Sequence, residues 1–351
     1  MNTPLKIPVI RAALVLAMTA IGGAAVAHHS AHITYDMDTV IEIQGEITGV
    51  TWRNPHVRFT LGSVDEDNEL VTWNVESIPV TRLTRVGITQ EMFGIGHTVT
   101  VAVYPARRPV RDAYAINMLL ADGREALLDT PVPRWTDDTV GTGLDETPGT
   151  PGAEPSLGIF RVWSADGSFL RTETRFLTEG GTPDYPLTDA ARAAQAAWDP
   201  LDPGNPFLTC LPKGMPTIMQ QPNPVEFIDE GDRIVLLMEE FDAMRVIHMS
   251  DDAGDQDAPP SRMGHSTGHW EGDTLVVRTS RINWPYFDQY GLLHSEAVET
   301  AERFTVNEEG SRLNYEMVVT DPGLFTEPVT LGKSWRWIPG DAVLPFNCAD
   351  E

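Results

Sequence analysis

A histidine-rich stretch that also carries an arginine and a glutamate is the part of this sequence best suited to chemistry. Residues 245–302 hold four of the nine histidines. A histidine beside a carboxylate in an apolar barrel is the usual apparatus of proton transfer. The predicted catalytic residues, for isomerase, hydratase or cyclase chemistry, are Arg245, His265, His269 and Glu302. A structural ion pair is the alternative, because a buried Glu302 would need a partner such as Arg245.

The spacing of His265 and His269 disfavours a shared metal ion. On an extended strand the two imidazoles lie on one face, ~13 Å apart at ~3.3 Å per residue. A helix would bring them together, but Gly264 and Gly268 make a helix unfavourable. We therefore interpret the two histidines as pocket residues and not as a metal pair.

The loop over residues 282–291 carries four aromatic side chains within seven positions. Such a loop is typical of a lid over a barrel mouth, where apolar area meets a few polar groups. An ordinary loop packed on the barrel is the alternative. The predicted ligand-binding residues are His248, Trp284, Tyr286, Phe287, Tyr290 and His294. The partner predicted for this pocket is a small, largely apolar molecule.

The N-terminus offers a second chemistry. Lys6 and Arg11 precede an apolar run that ends in Ala25-Val26-Ala27, the pattern of a signal peptide over residues 1–27. Cleavage there leaves His28 with a free amine and an imidazole, a chelate that suits Cu(II). The candidate metal ligands are His28, His29, His32 and His56. Copper is the one cofactor this suggests, and a frayed arm without metal is the alternative.

Charge and hydropathy limit the partners and the location. The formal charge is −26, and removal of Lys6 and Arg11 with the signal peptide takes it to −28. A chain this acidic repels nucleic acid and anionic membrane surfaces. The first apolar run is too short for a comfortable membrane span and no later run is long enough. We therefore expect a periplasmic or secreted protein with no integral membrane segment, of undetermined oligomeric state.

The two cysteines, Cys210 and Cys348, are expected to form a disulfide. Exported chains fold in compartments where such pairs persist. Neither cysteine lies in a recognisable nucleophile motif, which disfavours a catalytic role.

The pattern of apolar residues predicts an all-β protein with two barrels. Five or so short alternating segments in residues 28–128 predict a small OB-like barrel. Residues 129–155 are rich in Pro, Gly, Thr and Asp and predict a linker. Residues 156–351 predict a lipocalin-like antiparallel barrel of seven or eight strands, with three hairpins over residues 233–249, 265–279 and 297–320. Its single short helix follows the N-cap Thr188.

Two sets of motifs resemble uncharacterised exported bacterial proteins. The first half is similar to proteins with a mature His-His-Ser start and a Trp-x-Asn-Pro-His motif, and the second half to a C-terminal domain of longer proteins. The motifs of the first half are His28-His29-Ser30, Tyr35-Asp36, Gly45 and Trp52-Arg53-Asn54-Pro55-His56. Those of the second half are Cys210-Leu-Pro-Lys-Gly-Met-Pro, Arg245-Val-Ile-His, Gly268-His-Trp-Glu-Gly-Asp-Thr-Leu-Val-Val, Glu302-Arg-Phe, Asp321-Pro and Pro345-Phe346-Asn347-Cys348. The resemblance implies export and a β architecture, and it implies no activity.

Three functional hypotheses follow from these observations. The first is binding of a small apolar molecule in the C-terminal barrel. The second is proton-transfer catalysis in the same pocket. The third is copper binding at the mature N-terminus. The sequence contains no phosphate-binding glycine loop, no H-E-x-x-H and no C-x-x-C, which disfavours nucleotide and zinc functions.

Overall fold

The computed structural model describes residues 34–141, 157–165, 171–172, 183–199, 202, 204–249 and 258–348. In this part the chain is nearly all β, as predicted. The two α-helices it contains are short: α1 spans Val80–Arg85 and α2 spans Asp189–Ala197. The Thr188 side chain accepts a hydrogen bond from the Ala191 amide at 3.2 Å, which confirms the predicted N-cap of α2.

The first barrel closes through five strands. They are β1 (Ile41–Thr51), β2 (Arg58–Val64), β3 (Leu70–Glu76), β4 (Thr98–Pro105) and β5 (Asp112–Leu119). The order is β3-β2-β1-β4-β5, and a parallel pairing of β3 with β5 joins the two edges. The register of β1 against β2 shifts between Ile47 and Gly49, and such a bulge sharpens the bend that a small closed barrel requires. The closed barrel is confirmed, and its assignment to the OB type stays a prediction.

Two further strands extend the first sheet, and the second of them lies within the predicted linker. They are β6 (Glu125–Leu127) and β7 (Thr139–Val140). The Glu125 carboxylate is fully buried and accepts hydrogen bonds from the backbone amides of Arg134, Trp135 and Thr136. Residues 129–141 thus fold onto the first barrel, and residues 142–155 of the predicted linker lie outside the described residues.

The second barrel closes through nine strands. They are β8 (Val162–Ala165), β10 (Val225–Asp229), β11 (Arg233–Met238), β12 (Ala243–His248), β13 (His265–Glu271), β14 (Thr274–Ser280), β15 (Glu299–Val306), β16 (Arg312–Thr320) and β17 (Val329–Arg336). The order is β16-β15-β14-β13-β12-β11-β10-β8-β17, and β17 pairs back to β16. The short strand β9 (Arg171–Thr172) adds to β17. Resemblance to a lipocalin in particular stays a prediction.

The three predicted hairpins of the second barrel are confirmed as β11–β12, β13–β14 and β15–β16. One strand pair departs from the predicted antiparallel order, because β12 and β13 run parallel. Sixteen residues separate His248 from His265, and a connection of a dozen or more residues is long enough to return the chain in the same direction.

The C-terminal tail, residues 337–348, lies between the two barrels. Its end is tied to the second barrel by the predicted disulfide, in which the Cys210 and Cys348 Cα atoms are 5.7 Å apart. The tail also contacts the first barrel. Arg85 of α1 donates to the Ala342 carbonyl at 2.7 Å and to Asp341 at 3.0 Å. The same guanidinium pairs with Glu239, a fully buried residue of the second barrel.

Candidate functional site

Arg245 and Glu302 meet in the interior of the second barrel. Both side chains are fully buried, and Arg245 Nη1 donates to Glu302 Oε1 at 2.9 Å. A second bond joins Arg245 Nη2 to Glu302 Oε2, so the pair is bidentate. The two residues come from β12 and β15, three strands apart in the sheet. Arg245 and Glu302 therefore form the ion pair that the sequence suggested.

Hydroxyl groups from the neighbouring strands satisfy the rest of this ion pair. Ser266 accepts from Arg245 Nε at 3.0 Å, Thr279 accepts from Arg245 Nη2 at 2.6 Å, and the Tyr315 hydroxyl donates to Glu302 Oε1 at 2.7 Å. Burial by itself lowers the pKa of Arg245, but the charge and the hydrogen bonds of Glu302, together with Tyr315, raise it above its ordinary value. An ion pair with this many internal partners has the geometry of a structural crosslink.

The predicted histidines lie on the opposite face of the barrel wall. On β13 the residues Ser266 and Gly268 are buried, whereas His265 is half-buried and His269 is exposed. His269 pairs with Glu271 at the surface, at 3.3 Å. Successive strand residues point to opposite faces, so an inward Ser266 forces both histidines outward. The structure does not bring the four predicted catalytic residues together.

Of the predicted ligand-binding residues, His248 also faces outward. Its ring stacks on that of His265, with centroids 5.1 Å apart. Strands β12 and β13 run parallel where the two rings meet. The residue before His248, Ile247, is the one whose side chain is buried in the barrel.

The aromatic loop packs onto the end of the second barrel. Trp284 is 5% exposed and donates from Nε1 to Thr217 at 2.9 Å, and Phe287 is fully buried. The Tyr286 ring lies 5.1 Å from Phe207, while Tyr290 is 41% exposed. The loop over residues 282–291 therefore has the features of an ordinary loop packed on the barrel, which was the alternative to a lid.

A cleft of about 510 Å³ opens beside this loop. Trp284 and His294 line it together with Arg281, Glu296 and Glu299. Burial lowers the pKa of His294, and its Nδ1 lies 3.0 Å from the Ser295 carbonyl. The cleft is thus a groove at the barrel end. The barrel interior itself is occupied by aromatic side chains, among them Trp163, Phe227, Phe304, Tyr315 and Trp335.

A second cleft, of about 580 Å³, lies on the first barrel. Its base holds Glu76, the last residue of β3, which is 5% exposed. Arg58 of β2 lies 3.3 Å from Glu76 Oε2, and the Tyr35 hydroxyl lies 3.5 Å from the same oxygen. His56 Nδ1 lies 3.4 Å from Glu76 Oε1 and 2.9 Å from the Ser77 carbonyl. A buried carboxylate is here surrounded by an arginine, a histidine and a phenol.

The rim of this cleft carries a cation and an acid–amide pair. Asn74 donates to Asp112 at 2.9 Å. Arg108 is exposed and makes no ion pair or side-chain hydrogen bond within the part of the chain that the structure describes. Burial, and next the charge of Glu76, raise the pKa of the Tyr35 phenol, so Tyr35 stays a hydrogen-bond donor at neutral pH. The cleft can therefore offer an arginine to an anion and carboxylate acceptors to a donor.

Sequence reasoning singled out His56, which contacts the lining residue Glu76, but missed the cleft residues Tyr35, Arg58, Glu76 and Arg108. Tyr35 and Glu76 are 41 residues apart in the sequence, and the parallel contact of β3 with β5 brings Asp112 to Asn74. No local spacing encodes either contact. One feature of the sequence could have pointed to the cleft: Tyr35 and His56 both lie in the motifs by which the first half of the chain resembles other exported proteins.

The copper hypothesis falls mostly outside the described residues. His28, His29 and His32 are not among them, and His56 is engaged with Ser77 and Glu76. In the described ranges no group of three or more His, Cys, Asp or Glu side chains could hold a metal ion. Copper binding by the N-terminal histidines stays a prediction.

The comparisons with known proteins concern the first barrel. Residues 16–114 match the model of a family of unknown function (DUF6152). No curated protein and no solved structure matches the chain. Among the described helices none is long and apolar enough to cross a membrane. The chain is thus similar, over most of its first barrel, to a family whose function is not known.

Proposed function

We propose that this chain is an exported protein that binds a small polar molecule with an acidic group in the cleft of the first barrel. The observation that carries the proposal is the cluster of Tyr35, His56 and Arg58 around the buried Glu76, with Arg108 at the rim. The volume of the cleft, about 580 Å³, is within the range of small-molecule binding sites.

The charges of the cleft favour an acidic ligand. Arg58 already faces Glu76, and Asp112 already accepts from Asn74. The guanidinium of Arg108 therefore remains for a carboxylate or a similar anion, which arginine binds in a bidentate manner. The overall charge of −26 repels anions at long range, so a local arginine is needed to hold one. Apolar walls from Val50 and Phe59 leave room for a short carbon skeleton.

The family match and the disulfide support the proposal in different ways. The residues that line the cleft run from Thr34 to Asp112, and all of them fall within the matched residues 16–114. The site is thus contained in the part of the chain shared with that family. The Cys210–Cys348 disulfide is compatible with a periplasmic or secreted location, where such bonds persist.

Binding of a largely apolar molecule by the second barrel is the other candidate. The observation in its favour is the cleft of about 510 Å³ that includes Trp284 and His294. The position for such a ligand would be this groove, since aromatic side chains fill the interior. Proton transfer has less support, because His265 and His269 are separated from Glu302 by the barrel wall.

The test is a binding screen with a matched pair of arginine variants. The mature chain is mixed with amino acids, hydroxy acids and sugar acids, and complexes are detected by native mass spectrometry and confirmed by calorimetry. We expect at least one acid to bind, and Arg108→Gln to weaken it about tenfold, or about 1.4 kcal/mol. The control is Arg124→Gln, an exposed arginine paired with Asp122, which should leave binding unchanged. Absence of any bound acid, or equal binding by Arg108→Gln, would refute the proposal.

A further inference from the structure

The C-terminal tail reaches the loop that carries His56. Asn54 lies in that loop, two residues before His56, and is 3% exposed. Its Nδ2 donates to the carbonyl oxygen of Phe346 at 2.5 Å. Phe346 lies 292 residues further along the chain. A residue beside the first-barrel cleft is thus bound to the tail that follows the second barrel.

The acceptor of this bond is held rigidly by the second barrel. Phe346 is 2% exposed, and its ring lies 5.2 Å from that of Phe241. Its amide donates to Asp242 at 2.9 Å, and the Leu344 amide donates to Glu239 at 3.0 Å. Two residues further on, Cys348 is bonded to Cys210. The Phe346 carbonyl therefore has little freedom to follow a moving loop.

The donor has no alternative anchor for its side chain. Asn54 Oδ1 is buried and has no hydrogen-bond partner in the described chain. The amide is thus held through its Nδ2 alone. A buried amide that loses its one partner leaves both polar atoms unsatisfied, which is costly. The loop should shift when the Phe346 carbonyl is withdrawn.

The loop connects directly to the groups at the base of the cleft. His56 Nδ1 contacts the Ser77 carbonyl and Glu76. The next residue, Val57, accepts from the Ser77 amide at 2.8 Å and donates to the Ile78 carbonyl at 3.3 Å. A displacement at Asn54 therefore changes the position of His56 relative to Glu76.

We propose that Asn54 is a positioning residue, through which the disulfide-anchored C-terminal tail of the second barrel fixes His56 against Glu76, a residue that lines the cleft of the first barrel. The biological meaning of this inference rests on the ligand site proposed above, but the coupling itself is a property of the free protein. It makes the second barrel part of the support of the first-barrel site, and it makes that site sensitive to reduction of Cys210–Cys348.

The experiment observes His56 directly in the free, full mature chain. The imidazole signal of His56 is assigned in ¹³C-labelled protein by its loss in His56→Gln. It is then compared between wild type, Asn54→Asp and the double variant Cys210→Ser/Cys348→Ser. Asn54→Asp keeps the size of the side chain and replaces the donor with an oxygen that faces the Phe346 carbonyl. Asn314→Asp, on the exposed side of β16, adds the same charge far from the cleft and is the control.

We expect the His56 signal to shift in Asn54→Asp and in the cysteine variant, and to stay unchanged in Asn314→Asp. Hydrogen exchange at the Val57 and Ser77 amides should accelerate in the same two variants, while strands β13 and β14 keep their protection. A His56 signal equal to that of wild type in a folded Asn54→Asp protein would overturn the inference. If the cysteine variant does not fold, Asn54→Asp alone decides. Because no ligand is used, failure of the acid screen leaves this result readable.

Discussion

Removal of the charge of Glu302 should destabilise the second barrel strongly. Glu302 and Arg245 are both fully buried, and Glu302→Gln keeps the size of the side chain while leaving the guanidinium without a counter-charge. Breaking a buried pair by removing one partner costs about 3–5 kcal/mol. For a barrel of this size, that loss corresponds to a decrease in Tm of about 10 °C.

Urea unfolding followed by tryptophan fluorescence is the assay, because Trp163 and Trp335 are buried in the same barrel. The matched control is Glu271→Gln, which removes an exposed partner of Arg303. An exposed pair is worth about 0–1 kcal/mol, so this variant should unfold almost as wild type does. The double variant Arg245→Met/Glu302→Leu should lose less stability than Glu302→Gln, since neither charge remains buried.

The result distinguishes a structural crosslink from catalysis. If Glu302 served as a general acid or base, Glu302→Gln would leave the free energy of unfolding nearly unchanged. A loss no larger than that of Glu271→Gln would refute the structural reasoning and return the ion pair to the list of candidate catalytic groups.

Three further outcomes are expected. Burial raises the pKa of Asp288 to about 7, above the ordinary ~3.9. The free energy of unfolding should therefore be highest below about pH 4 and fall by about 4 kcal/mol as the pH rises from there through 7. Asp288→Asn should remove this pH dependence, and parallel unfolding curves of variant and wild type from pH 5 to pH 8 would contradict the prediction. The disulfide closes a loop over a sequence separation of 138, so Cys210→Ser/Cys348→Ser should lower the free energy of unfolding by up to about 5 kcal/mol, and an unchanged urea midpoint would contradict that account. Phe287→Ala should cost about 3–5 kcal/mol because the ring is fully buried, whereas Tyr290→Ala should cost less than about 0.5 kcal/mol; equally small losses would indicate a mobile lid.

The sequence by itself determined the class of the fold and several of its elements. Alternation of apolar residues identified the three hairpins of the second barrel, because the core-facing residue recurs at every second position of a strand. The helix after Thr188 followed from its cap and its alanines. The disulfide followed from there being two cysteines. The hairpins and the helix depend on residues close in the sequence, and two cysteines can form only one intramolecular disulfide.

Only the tertiary structure decided which groups share a site. Strand periodicity placed His265 and His269 on one face but did not say whether that face pointed inward. That depended on Ser266 packing against the buried Arg245. The cleft around Glu76 is assembled from Tyr35, β2 and β3, and Asn54 is held by Phe346 from the other end of the chain. Contacts across such separations leave no local pattern, because they are set by how the strands close into barrels and how the barrels meet.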